Sequence, residues 1–176
     1  MKNVKFLMMV MAGCLAFSSC DNDDDNNNSN TTGYAGTYNM TAWNAPVAMD
    51  FDGNGTTSTN FMTETNCYNN SKIILNSNGT YTMTYNALGI TGTTAGCAAS
   101  QATSGTWTRS GNNIVTTSTT GGSSTSATYS FANGSASNGA TLTRSMTNAQ
   151  YPTISGNNAT WANGNVNMTF TRPVSN

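Results

Sequence analysis

The sequence contains no histidine, and only seven of its 176 residues are acidic. One of these is Glu64, and the only aspartates beyond the N-terminal segment are Asp50 and Asp52, which lie close together in one short stretch. General acid–base catalysis and nucleophile activation both require a base that a partner group holds in place. Because so few candidates exist, we expect a protein without catalytic activity.

Basic residues are equally scarce, with six lysines and arginines in the whole chain. Removing residues 1–19 would take away two of these and none of the seven acidic residues, which leaves a net charge of −3. Binding to a nucleic-acid backbone requires clustered lysines and arginines. The composition therefore predicts no nucleic-acid partner.

The apolar stretch at the N-terminus is short. It covers residues 6–17, follows Lys2 and Lys5, and ends at the small residues Ser18 and Ser19. A membrane-spanning helix needs about 20 apolar residues, whereas this pattern is typical of a bacterial export signal. We predict that residues 1–19 are a signal peptide.

A cysteine, Cys20, follows this segment directly. The stretch "LAFSSC" resembles the lipobox of bacterial lipoproteins, in which the cysteine is acylated and becomes the new N-terminus. The resemblance implies palmitate-type acylation of Cys20 and a lipid-anchored protein of the outer membrane, held by several chains at about 0.8 kcal/mol per buried CH2. The alternative is an ordinary secretory signal with an incidental cysteine.

Acidic and amide residues dominate the segment that follows the cysteine. Residues 20–33 read "CDNDDDNNNSNTTG", which is too polar to form a core and predicts a disordered tether. "CDNDDD" also resembles the signal that sends some Gram-negative lipoproteins to the cell surface. Both interpretations stay open.

Long runs of helix-forming residues are missing after residue 33, where Thr, Ser, Asn and Gly dominate. In "TYTMTYN", Tyr81, Met83 and Tyr85 alternate with threonines, which is the period of a β-strand with one apolar face. The pattern recurs and predicts eight strands at residues 36–43, 71–76, 80–87, 104–109, 113–119, 125–131, 140–146 and 165–172.

Pairs of residues that suit tight turns separate most of these strands. They are Asn78-Gly79, Gly111-Asn112, Asn133-Gly134, Asn138-Gly139 and Asn163-Gly164. Short strands joined by hairpins favour an all-β fold, an antiparallel up-and-down barrel of about eight strands that closes to remove its edges. We predict one such domain over residues 34–176, and expect it to be monomeric.

Two longer connections interrupt this pattern. Residues 44–70 predict an irregular lid or a short helix, residues 88–103 predict a long loop, and each contains one cysteine, Cys67 or Cys97. Thiols pair in an oxidising compartment, whereas two cysteines without histidine cannot complete a zinc site. We therefore predict a disulfide, which would stabilise the fold by about 3 to 4 kcal/mol in the chain-entropy model.

The stretches "AGTYNMTAWN", "DFDGNGTTSTNFMTETNCYNNSKIILNSNGTYTMTY" and "SGTWTRSGNNIV" resemble the lipocalin-like domains of secreted bacterial lipoproteins. Gly36-Thr37-Tyr38 corresponds to the Gly-x-Trp that begins the first lipocalin strand, with Tyr in place of Trp. The resemblance implies that Arg172 packs across the ring of Tyr38 and closes one end of the barrel. Such a cation–π contact is worth about 0.5 to 2 kcal/mol.

The stretch "DFDGNG" suggests calcium. Asp50, Asp52 and Asn54 alternate as oxygen ligands do at the start of a calcium loop. Such a loop ends in a glutamate at its twelfth position, which is Phe61 here, and Glu64 follows three residues later. A plain turn without any cofactor and a calcium site are thus the two interpretations.

Two functional classes fit this sequence. In the first, a carrier, the barrel holds a small apolar or aromatic molecule. In the second, a structural or interaction module, the interior is filled by its own side chains. We favour the carrier, and its predicted lining residues are Tyr38, Tyr81, Met83, Tyr85, Trp107, Tyr129, Met168 and Phe170.

Overall fold

A computed structural model describes residues 33–134 and 139–174 of the chain. The predicted signal peptide, Cys20 and all but the last residue of the predicted tether lie outside the described residues. Eleven strands run along the described chain: β1 Gly36–Met49, β2 Ser58–Asn60, β3 Lys72–Leu75, β4 Thr80–Tyr85, β5 Leu88–Thr91, β6 Thr94–Cys97, β7 Gln101–Ser110, β8 Asn113–Thr120, β9 Ser123–Ala132, β10 Thr141–Ser155 and β11 Asn158–Thr171.

Eight of these strands form a closed antiparallel barrel. Their order is β1-β3-β4-β7-β8-β9-β10-β11, and β11 pairs with β1 to complete the ring. The predicted all-β, eight-stranded antiparallel barrel is thus confirmed. Closure leaves no long unpaired edge in the barrel, which is the physical reason for predicting it from so many short strands.

The last hairpin is longer than predicted. β10 and β11 pair from Thr141 to Ser155, so residues beyond Met146 form an arm that extends past the barrel. The turn lies at Gly156, whose φ of 61° suits a tight turn. The predicted turn at Asn163-Gly164 is wrong, because both residues pair with β10 inside the hairpin.

The two long connections carry more structure than predicted. β1 continues to Met49 and pairs with β2, and a 3-10 helix over Asn66–Tyr68 is the short helix that the sequence predicted as one of two alternatives. The predicted loop 88–103 contains the separate hairpin β5–β6 and the start of β7. Main-chain hydrogen bonding thus continues where the apolar alternation is weak.

The predicted disulfide is confirmed. Cys67 and Cys97 are bonded, with their Cα atoms 4.9 Å apart. The bond joins the 3-10 helix to the end of β6, so it ties the hairpin β5–β6 to the segment after β2. It closes 30 residues of sequence.

Inside the barrel, side chains alternate between the interior and solvent, as the strand period requires. Tyr38, Ile73, Ile114, Leu142 and Phe170 are each fully inaccessible to solvent. In the part of the chain described here, no helix is long and apolar enough to cross a membrane.

Candidate functional site

One end of the barrel, here called the closed end, is sealed around Tyr38 and Arg172. The guanidinium carbon of Arg172 lies 5.6 Å from the centre of the Tyr38 ring. Arg172 Nη1 donates to the carbonyl oxygens of Gly33 at 3.0 Å and Ala35 at 2.9 Å. These contacts hold the residues that precede β1 against the end of β11. Burial raises the pKa of the Tyr38 hydroxyl, and the nearby charge of Arg172 opposes that effect.

A second cation completes this seal. Arg109 lies 4.5 Å from the centre of the Tyr34 ring, and Tyr34 in turn packs on Phe131 with ring centres 4.5 Å apart. The Tyr38 hydroxyl donates to the Tyr34 carbonyl oxygen at 2.7 Å. Aromatic rings and the arginines above them therefore cover the closed end.

The eight predicted lining residues do share the interior. Met83 and Tyr85 are half-buried and pack against the core. The other six belong to the buried core: Tyr38, Tyr81, Trp107, Tyr129, Met168 and Phe170. The structure therefore divides the predicted set into six residues packed in the core and two residues, Met83 and Tyr85, near the other end of the barrel.

That opposite end, here called the open end, has an incompletely buried lining. Met83 and Tyr85 from β4, Ala127 from β9 and Met146 from β10 pack against the core and remain half-buried. They stand above the buried Tyr129, whose hydroxyl approaches the sulfur of Met83 at 3.8 Å. An apolar lining with a few oriented hydroxyl groups is typical of a small-molecule site.

Arg144, which the sequence interpretation did not select, belongs to this lining. It lies between the buried Leu142 and the core-packed Met146 on one face of β10, and its guanidinium carbon is 5.9 Å from the Tyr129 ring centre. Burial raises the pKa of Tyr129, which the charge of Arg144 and its hydrogen bond oppose. The period of two residues along β10 was the signal that could have identified Arg144.

An aromatic cluster borders the open end. Trp43 stacks on Phe61 at 5.1 Å and on Tyr68 at 5.0 Å between ring centres. Trp43 Nε1 also donates to the Tyr85 hydroxyl at 3.0 Å. Burial raises the pKa of Tyr85, whereas this hydrogen bond lowers it. The cluster, named the aromatic cap below, fixes Tyr85 in the lining.

Three carboxylates meet beside the aromatic cap. An oxygen of Asp50, of Asp52 and of Glu64 all lie within 4.8 Å of one another. Asp50 is also an acceptor for three backbone amides, those of Gly53 at 2.7 Å, Asn54 at 3.1 Å and Gly55 at 2.8 Å. Hydrogen bonds from these amides, that of Gly55 foremost, lower the pKa of Asp50.

The eight strands thus form a closed barrel that is packed at one end and lined by half-buried apolar side chains at the other; barrels of this strand number can hold one small ligand. The family of lipocalin-like domains matches residues 34–136, which is more than half of the chain. The chain therefore belongs to the lipocalin-like domain family, as the sequence motifs implied. The matched region stops before β10 and β11, although these strands complete the barrel. Proteins of this family are typically non-catalytic binding proteins.

No curated protein and no solved structure matches the chain.

Proposed function

We propose that the protein is a non-catalytic carrier that binds a small apolar or aromatic molecule in the open end of its barrel. The observation that supports this proposal is the difference between the two ends. Inward-facing side chains are buried at the closed end, whereas Met83, Tyr85 and Met146 stay half-buried at the open end. Covering such apolar surface with a ligand is favourable at about 25 cal/mol per Å².

Arg144 adds a charge preference to this proposal. Among residues 33–134 and 139–174, no carboxylate forms an ion pair with its guanidinium group. A half-buried cation without a counter-ion favours a ligand that carries an acid group, because charge-assisted hydrogen bonds are stronger than neutral ones. The expected ligand is therefore apolar with an anionic end.

The test is a fluorescence titration of the purified protein with an anthroyloxy-labelled fatty acid and with the methyl ester of the same probe. We expect saturable binding of both, with the acid bound more tightly. Met83→Trp should abolish binding by filling the open end. Arg144→Met should weaken binding of the acid about tenfold and leave that of the ester unchanged.

The matched control is Val115→Trp, which adds the same ring at a half-buried position next to the inward-facing Ile114 and Thr116, on the outer face of β8. It should bind both probes as the unmodified protein does. Circular dichroism verifies that each variant is folded. Absence of saturable binding of either probe to the folded protein contradicts the carrier proposal.

That outcome would favour the second candidate function, an interaction module displayed on the cell surface. The arm formed by β10 and β11, together with the end of β1, exposes large apolar side chains, with Trp161 47% and Val47 46% accessible. Large exposed apolar side chains that form a contiguous patch are typical of contact surfaces.

We also propose that the protein is anchored by lipid on Cys20 in the outer membrane, with the barrel at the cell surface. The support is the signal-like segment that ends at "FSSC" and the acidic residues Asp21, Asp23, Asp24 and Asp25 after it. A carrier anchored through several acyl chains stays at the membrane, where apolar molecules concentrate.

The anchor is tested by labelling cells with radioactive palmitate. The protein should incorporate label and partition into detergent, and Cys20→Ala should do neither, whereas Cys14→Ala serves as the control because residue 14 lies within the predicted signal. Label retained in Cys20→Ala would contradict lipidation. Protease added to intact cells tests surface display, and protection of the barrel would place it inside.

A further inference from the structure

The side-chain carboxylates of the described residues form one cluster. Residues 33–134 and 139–174 contain three acidic side chains, those of Asp50, Asp52 and Glu64. They come from the loop after β1 and from the turn after β2, yet their oxygens lie within 4.8 Å of one another. Like charges at this distance repel, so the arrangement needs a compensating charge.

Glu64 provides an independent observation. It is only 4% exposed, and its Oε2 atom is buried without a hydrogen-bond partner. Leaving a carboxylate oxygen buried and unpaired costs several kcal/mol, so native structures satisfy such atoms with a proton donor or a cation. No ion pair to a lysine or arginine is found for these carboxylates in the part of the chain that the structure describes.

The loop that carries the aspartates holds its carboxylates in place. The amides of Gly53, Asn54 and Gly55 donate to Asp50, and the amide and side chain of Asn54 donate to Asp52 at 3.0 and 2.9 Å. The carboxylates are therefore oriented before any ion arrives. Such preorganisation reduces the entropic cost of binding.

We propose that Asp50, Asp52 and Glu64 bind one calcium ion. Calcium takes oxygen ligands in flexible geometry, and three carboxylates on two connected turns provide them, with water completing the shell. Zinc does not fit, since the chain has no histidine and Cys67 and Cys97 are bonded to each other. The site is separate from the proposed ligand site and does not depend on it.

The position of the site gives the ion a structural role. Phe51, between the two aspartates, packs edge-on against Phe61 with ring centres 4.9 Å apart, and the amide of Glu64 donates to the Phe61 carbonyl oxygen at 3.2 Å. Phe61 in turn stacks on Trp43. Calcium would thus join the loop after β1 to the aromatic cap and stabilise both.

The experiment is calorimetric titration of the full chain, treated first with EDTA, with CaCl2 and separately with MgCl2. We expect one calcium site with a dissociation constant of about 10⁻⁴ to 10⁻³ M, as in extracellular modules, and weaker binding of magnesium. Calcium should also raise the Tm. Glu64→Gln, which keeps the shape and removes the charge, should lose both effects and should be more stable than the unmodified protein in EDTA.

The matched control is Asp24→Asn, which changes the net charge equally in the acidic segment after Cys20 and should bind calcium normally. If Glu64→Gln does not fold, Asp52→Asn, at the exposed side of the cluster, tests the proposal instead and should lose calcium binding. No saturable heat with CaCl2 up to about ten times the upper end of that range would overturn the proposal. Calcium binding that is unchanged in the folded variants would do so as well.

Discussion

Gly105 shows how a single residue allows two barrel strands to approach closely. Strands β7 and β8 pair from Ser110 and Asn113 as far as Thr106 and Thr117, where their regular pairing ends. A Cβ atom on Gly105 would collide with the carbonyl oxygen of Thr117 and lie 3.0 Å from the Cα of Ser118. The backbone of β8 thus occupies the space of a side chain, which only glycine leaves free.

Replacing Gly105 should therefore destabilise the barrel. We expect Gly105→Ala to lower the free energy of unfolding by about 1 to 3 kcal/mol, because the added methyl group meets backbone atoms that cannot rotate away. Urea denaturation measures this difference. Gly96→Ala is the matched control, since a Cβ atom there has no neighbour within 4 Å, and its effect should stay within about 0.5 kcal/mol. Equal losses in the two variants would contradict the predicted collision.

At the scale of elements, alternation identified the strands that face a shared core. All eight barrel strands coincide with predicted segments, and in several of them, such as β4 and β9, apolar residues alternate with polar ones at the pleat of a strand. The arm was missed because its apolar residues do not alternate regularly with polar ones: Tyr151 and Pro152, for example, are adjacent and both buried. Gly164 was assigned to a turn, yet it pairs with Ala149, and a Cβ atom there would lie 2.7 Å from Cγ of Pro46.

The candidate sites likewise contain some residues that local sequence patterns predict and others that only the tertiary structure brings together. Residues on predicted strands were placed in the interior correctly, since burial follows from the strand period. The aromatic cap depends on Trp43, Phe61 and Tyr68 meeting across separate segments, and the proximity of Glu64 to Asp50 likewise arises from tertiary structure. Local sequence patterns carry no information about such contacts, so the sequence did not predict the aromatic cap. It identified Glu64 only as an acidic residue three positions beyond the expected end of a calcium loop.

At the scale of the whole molecule, the absence of histidine determines how stability responds to pH. No side chain of that type changes charge near neutrality, so the free energy of unfolding should be nearly constant between about pH 6 and 9. At higher pH, tyrosine ionisation dominates the pH dependence of the free energy of unfolding. Burial raises the pKa of four tyrosines above the ordinary value of 10.0: Tyr38, Tyr68, Tyr85 and Tyr129.

The protein should therefore unfold in alkaline solution. Above pH 10 the unfolded chain releases protons that the folded barrel retains, so the unfolded state binds fewer protons and stability falls as pH rises. Each buried tyrosine contributes up to about 1.4 kcal/mol per pH unit, and Tyr129→Phe should reduce the slope by that amount. Thermal unfolding from pH 7 to above pH 10 measures the slope, with tyrosinate absorbance recorded in parallel. Tyrosinate that appears near its ordinary pKa while the barrel stays folded would show that burial does not hold these hydroxyl groups neutral.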